Sequence, residues 1–138
     1  MTIDKKELIA IRDSVSSDRN FILATWLKGL RYGNDWFELI DSKVYFDFYH
    51  KVLETILNRP DTTVKVACLK EDQDVILAYS VSTGPHLHWV FCKKEWRSIG
   101  IGKSLVSPET QVVTHLTSLG KSILRRHPEL KFNPFALN

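Results

Sequence analysis

The chain has 138 residues, 43% of them hydrophobic and 25% charged, which suits one domain with a single sizeable core and excludes large-scale disorder. A formal net charge of +3 and a pI of 8.9 suit a polyanionic ligand without requiring one, and they fall short of the dense basic patch of a dedicated nucleic-acid binder. No stretch approaches the roughly 18 apolar residues of a membrane span, and the opening "MTIDKKELIAIRD" lacks the apolar run of a signal peptide, so a cytoplasmic protein without a membrane partner is expected.

Taken in chain order, "ELIAIRDS" alternates like a short strand. In "SSDRNFILATWLKGLRYG", Ile22, Leu23, Trp26, Leu27 and Leu30 recur at helical spacing, with Ser17 or Asp18 as the N-cap and Gly33 as the stop. A second helix is predicted over Ser42–Asn58, closed by Pro60, with Val44, Phe48, Val52, Leu53 and Ile56 on its buried face. The period then changes. "TVKVACLK" and "DVILAYSV" read as a hairpin around the polar turn "EDQD". After "TGP" comes the strand "HLHWVFCK", with His86, His88, Val90 and Cys92 expected on one face and Trp89 and Phe91 on the other. The glycine-rich "SIGIGKSLV" opens a short helix that Pro108 must end. "TQVVTHLT" reads as a strand, "SLGKSILRRH" as a helix and "LKFNPF" as a last strand. Cys68 and Cys92 both fall in strand-like apolar runs, so a reduced pair of thiols is expected rather than a disulfide. Five scattered histidines without carboxylate spacing do not make a metal site. No linker or repeat divides the chain, so residues 1–138 are read as one domain. Its fold class is α/β, a mixed, mostly antiparallel sheet of about six strands flanked by about four helices.

The loop "WRSIGIGKSLV" carries the chemistry. A Walker A loop needs glycine five residues before Gly102, and Arg97 stands there instead. The other frame is Arg97-Ser98-Ile99-Gly100-Ile101-Gly102, directly after a strand and opening a helix. Two glycines let the main chain approach a pyrophosphate closely, and successive N–H groups then present positive partial charge to it.

"FCKKEWRSIGIGKSL" resembles motif A of the GNAT superfamily of acyl-CoA-dependent N-acetyltransferases, Val-x-Pro-x-Tyr-Arg/Gln-Gly-x-Gly-Ile-Gly. Cys92 falls on the Val, Lys94 on the Pro, Trp96 on the Tyr and Arg97 on the Arg/Gln. Gly100, Ile101 and Gly102 match, and Ser98 replaces the first glycine. The predicted element order is also that of the family, and the sequence looks like small acetyltransferase-like proteins of bacteriophages. The resemblance implies acetyl-CoA as the acyl-donor cosubstrate. Its pantetheine arm and acyl group would lie along the backbone of Val90, Phe91 and Cys92. Its pyrophosphate would sit on Ser98, Ile99, Gly100, Ile101, Gly102 and Lys103, with Arg97 at the rim and Ser104 adding a hydroxyl.

Where many members carry a carboxylate base, this chain has His88, with His86 as second choice. The family's tyrosine acid falls on Leu124, and no tyrosine follows Tyr79. The thiolate then leaves unassisted, or Ser118, His115 or Tyr79 substitutes. The family sets acceptor specificity in the first two helices and their loop, here Arg31, Tyr32, Asn34, Asp35 and Trp36. The resemblance leaves the amine acceptor open among a protein, a small molecule and a nucleic-acid base, and it allows a homodimer. Two rival readings stand beside acetyl transfer. One is a phage enzyme like the Mom group that modifies DNA bases, and the other is a GNAT-like module without catalysis that acts on a host protein in the host cytoplasm.

Overall fold

A computed structural model describes residues 4–137. Met1 to Ile3, the front of the segment read above for a signal peptide, and Asn138 lie outside the described residues. Strand β1 (Ile9–Asp13) pairs antiparallel with β2 (Thr62–Leu69), β2 with β3 (Ile76–Thr83), and β3 with β4 (His86–Cys92). Two short strands, β5 (Val112–Val113) and β6 (Lys131–Phe132), join in parallel and complete a six-stranded sheet in the order β1-β2-β3-β4-β5-β6. The expected mixed, mostly antiparallel sheet is what forms.

Helices α1 (Arg19–Tyr32) and α2 (Ser42–Asn58) cover one face of this sheet. The second has the bounds its periodicity predicts, because Asp41 accepts the Val44 amide at its start and Pro60 follows its end. Asp18 stands at the N-cap of α1, yet its carboxylate turns elsewhere. It takes both Arg12 nitrogens, at 2.7 and 3.0 Å, and the Val15 amide at 2.8 Å, which ties β1 to the start of the helix. Trp26, Leu30, Leu53 and Ile56 pack on Val66, Tyr79, Val81 and Trp89, each such side chain contributing roughly 2 kcal/mol by leaving water. A Cβ on Gly29 would stand 2.8 Å from Trp89, so only glycine lets α1 rest directly on β4. On the opposite face the small residues Ala67 and Ala78 admit the short helix α3 (Ile101–Leu105) through Ile101 and Leu105. Cys68 and Cys92 are free thiols. Among the described residues, no helix is long and apolar enough to cross a membrane.

The C-terminal third is less regular than its sequence suggests. Of "TQVVTHLT" only Val112–Val113 pairs as strand. The Thr114 amide makes one more bond, to the Leu87 carbonyl at 3.1 Å, and the chain then leaves the sheet to begin helix α4 (Ser118–Arg125), capped by Thr117. Of "LKFNPF" only Lys131–Phe132 is strand, since Pro134 has no N–H to continue the ladder.

Candidate active site

The site begins with an irregularity in β4. Trp89 faces Val81 and Leu87 faces Ser82, so His88 is left without a partner on β3. Such a bulge reverses which edge each backbone group addresses. The Leu87 carbonyl accepts from Thr114 on the β5 side, whereas the Lys93 amide donates to Leu77 on the β3 side. Without the bulge, residues 87 and 93 would address the same neighbour. Beyond it, Trp89 and Phe91 pair with Val81 and Tyr79, and the backbone groups of Val90 and Cys92 face the side where β5 has already departed. This corrects the expected trio, because Phe91 spends its backbone on β3. The Cys92 carbonyl also already accepts Arg97 Nε at 3.1 Å. Val90 therefore presents the free edge.

The bulge corrects the faces as well. Val90 and Cys92 lie on the α3 side, where Val90 comes within 3.7 Å of the Cβ position of Gly102 and Cys92 packs near Ile101. His88 does not share that face. Its ring is fully buried on the α1–α2 side, with Nδ1 2.8 Å from Thr114 Oγ1 and Nε2 2.9 Å from Thr83 Oγ1. Burial first, then His86 and Arg59, push its pKa down to about 4. A neutral ring with both nitrogens occupied is not poised to take a proton from a substrate. His86 lies opposite Thr83 at the hairpin end.

The glycine-rich loop follows β4 as expected. Ser98 (φ 69°) and Gly100 (φ 86°) both adopt the left-handed conformation, which folds the loop back before α3. Among the described residues, the amides of Ser98, Ile99, Gly100, Ile101, Gly102 and Lys103 donate to no protein acceptor. The Ser104 amide reaches the Gly100 carbonyl at 3.1 Å, and its hydroxyl donates to the Ile101 carbonyl at 2.6 Å, so Ser104 closes the turn rather than extending the row. Beyond its two chain neighbours, no atom lies within 4 Å of the position a Cβ on Gly100 would occupy. A run of unengaged amides beside open space is a ready anion cradle.

Tyr79 and Ser118 are dispersed. Tyr79 is fully buried, its ring stacked on Phe91 at 5.3 Å. Its hydroxyl lies 2.7 Å from Thr25 Oγ1 and 3.0 Å from the Ile22 carbonyl, and burial raises its pKa. It is a packing residue with a satisfied hydroxyl. Ser118 is exposed at the first turn of α4, with its amide on the Gly33 carbonyl at 2.8 Å.

Two residues of the expected acceptor loop point inward. Arg31 is buried and donates Nη2 to the Ile40 carbonyl at 3.0 Å, with its guanidinium 5.2 Å from the Tyr45 ring. Asn34 is buried and donates Nδ2 to the Leu30 and Leu116 carbonyls at 3.1 and 2.8 Å, stapling the end of α1 to the segment before α4. Both hold the loop together, since a buried polar group must find partners. Tyr32, Asp35 and Trp36 remain exposed, with Trp36 stacked on Phe37 at 4.0 Å.

A cluster that joins the two histidines named in the sequence, His88 and His115, through threonines completes the site. His115 follows the last link between β4 and β5, with Nδ1 2.8 Å from Thr114 Oγ1 and its ring edge-on to Trp26 at 5.5 Å. Thr83 in turn contacts Thr62 at 2.9 Å, and Thr62 donates to the Ile56 carbonyl at 2.7 Å. The register Thr83↔His86 across the Gly84-Pro85 turn was the one available signal, and it places His88 within reach of Thr83 only once the bulge is known.

No family model and no curated protein matches the sequence. Solved structures do. A GCN5-related N-acetyltransferase from Ralstonia eutropha superposes with a TM-score of 0.60 at 15% identity, covering 86% of this chain and 90% of that one. A predicted acetyltransferase from Clostridium acetobutylicum, solved with acetyl-CoA, gives 0.58 at 12% identity over 87% and 88%. An aminoglycoside N-acetyltransferase solved in complex with CoA gives 0.52 at 17% identity over 91% and 88%. Sheet order, helix placement and these superpositions together establish that the chain has the GNAT fold.

Proposed function

We propose that residues 1–138 form one acyl-CoA-dependent N-acyltransferase domain that transfers acetyl from acetyl-CoA to an amine. The row of unengaged amides from Ser98 to Lys103, beside the open Val90 edge of β4, carries this reading. The pyrophosphate would take the amides, with Lys103 and Arg97 adding exposed positive charge at the rim. The pantetheine would pair with Val90 in place of the strand that has splayed away. Solved neighbours of the same fold hold CoA or acetyl-CoA, which supports the choice of donor. The amine would enter from the α1–α2 side, past the exposed Tyr32, Asp35 and Trp36. Tyr79 is buried and Leu124 has no proton to give, so in this reading the thiolate leaves without help from either.

Calorimetric titration with acetyl-CoA, with ATP as control, tests the reading. Acetyl-CoA is expected to bind and ATP is not. Gly102→Glu serves as the matched variant. Its Cβ has only an ordinary 3.7 Å contact with Val90, so the fold tolerates it, while its carboxylate would meet the pyrophosphate and weaken binding about 100-fold or more. Equal acetyl-CoA affinity in the two proteins would remove the cradle from the account.

A further inference from the structure

We propose that, in the acyltransferase reading above, His115 Nε2 is the group that takes the proton from the attacking amine, and that a chain of hydroxyls and imidazoles running from Thr62 holds it in the tautomer that can do so. The chain has one possible proton order. A carbonyl only accepts, so the 2.7 Å contact between Thr62 Oγ1 and Ile56 uses the single Thr62 proton. Thr83, 2.9 Å away, must then donate to Thr62. With its proton spent, Thr83 can only accept from His88, which places that ring's proton on Nε2. A neutral imidazole carries one proton, so His88 Nδ1 accepts and Thr114 donates to it. Thr114 is left to accept from His115, whose proton therefore sits on Nδ1. His115 Nε2 then carries a lone pair.

Position supports the assignment. The Thr114 amide makes the last link between the parallel strands, and His115 is the first residue beyond it, where the sheet opens. Among the described residues no side chain is hydrogen-bonded to Nε2, and the His88 backbone lies close enough to the ring to offset part of the fall in its pKa. Nε2 is not one of the buried polar atoms left without a partner, and the residue is only half-buried. Thr83, His88 and Thr114 are all buried, so water does not scramble the order. Burial and the neighbouring His88 lower the His115 pKa, so the ring is neutral before substrate arrives and, as a weak base, holds the proton only in passing.

The step balances. As the amine nitrogen bonds the acyl carbon, the N–H proton passes to His115 Nε2 and its electron pair stays on nitrogen. The C–S bond breaks with its pair on sulfur, releasing the CoA thiolate. The imidazolium returns its proton to the thiolate or to solvent. Thr62, Thr83, Thr114 and His88 are positioning residues.

Long-range proton–nitrogen correlation on the full chain with labelled histidine reads the tautomers directly. His115 is expected to carry its proton on Nδ1 and His88 on Nε2; the opposite assignment at either ring overturns the proposal. Thr62→Val gives a remote test. The Ile56 carbonyl keeps the Arg59 amide at 3.2 Å, so the loss is small. Thr83 then has no acceptor but His88, and every donor in the chain reverses. His115 is expected to move its proton to Nε2, while Thr62→Ser retains the original order. An unmoved His115 in Thr62→Val sinks the chain. Thiol release from acetyl-CoA with concentrated methylamine as the probe amine should fall about tenfold in Thr62→Val with KM for acetyl-CoA unchanged, and recover in Thr62→Ser. No acceleration by the unaltered protein, or an unchanged rate in Thr62→Val, overturns the proton-acceptor role. Failure of acetyl-CoA to bind at all instead overturns the acyltransferase reading, while the tautomers still report on the chain.

Discussion

Arg97 closes the exposed end of β4 by donating Nε to the Cys92 carbonyl at 3.1 Å. The same side chain is exposed and stands at the head of the loop whose amides are unengaged. It thus has two tasks, satisfying the strand and adding charge at the rim. Arg97→Met should weaken acetyl-CoA binding by about 5-fold, the scale of one exposed charge. The melting temperature should change by less than about 3 °C, because a solvent-facing carbonyl finds water. A loss above 100-fold in calorimetry would mean that Arg97 contacts the phosphates directly rather than steering them.

Ser98 sits at φ 69°, where the family pattern has glycine. A side chain there costs about 1–2 kcal/mol, and glycine loses part of that gain as unfolded-chain entropy. Ser98→Gly should therefore raise stability by about 0.5–1 kcal/mol in urea unfolding. Destabilisation would show that the serine hydroxyl, rather than the turn geometry, fixes the loop.

Arg31 is part of the core by position. Its stem and guanidinium lie against Tyr45 and Phe46 while Nη1 is buried without a partner. Arg31→Ala should cost about 2–3 kcal/mol through lost packing. Arg31→Met keeps the stem and removes a desolvated charge, so it should cost less than about 1 kcal/mol. Denaturant midpoints of the two variants check the order. An alanine variant as stable as the parent would return Arg31 to the acceptor surface.

Two neutral histidines, His88 fully buried and His115 half-buried, make the fold acid-sensitive above the range where carboxylates titrate. Burial first of all lowers His88 to about 4 and His115 to about 3, against roughly 6.5 in the unfolded chain. The unfolded state binds more protons between these values, so stability is full above pH 6.5 and falls as pH drops toward 4. The loss amounts to roughly 3 kcal/mol, not doubled for two rings, because His88 and His115 influence each other. Asp18, whose pKa its bond with Arg12 lowers, contributes above about 4 and is lost only at lower pH. Urea midpoints at pH 7.5 and 4.5 separate the two ranges. Equal midpoints would mean that the histidines are hydrated.

Much of the fold was legible because it is local. The helix Ser42–Asn58 is bracketed by Asp41 and Pro60, and the β2–β3 hairpin by a polar turn, so punctuation sets their bounds. The helix's expected buried face was only partly right, since Val44 and Phe48 are exposed and Tyr45 is buried with Leu53 and Ile56. The glycine-rich loop was legible for the same reason, since Gly100 marks a left-handed position. The bulge at His88 was not. "HLHWVFC" alternates without glycine or proline, and an extra residue in one strand is defined only by the partner strand. That one residue moved His88 to the other face and decided which backbone groups are free. Arg31 and Asn34 misled for a related reason. Polar residues in a short loop look exposed, yet this loop must satisfy the carbonyls of Ile40, Leu30 and Leu116 from within.

The lengths of the strands divide the molecule by how readily it opens. β2 and β3 are eight residues each and pair along nearly their whole length. β5 and β6 hold on by two registered positions apiece, and α4 buries none of its residues. Fluctuations that release a strand concentrate where few bonds must break together. The segment from β5 onward, held to α1 by the Asn34–Leu116 and Ser118–Gly33 bonds, is therefore expected to open before the first four strands lose their register. His115 rides at the boundary between these two parts, so the seam held by the fewest bonds runs beside the ring proposed to take the proton.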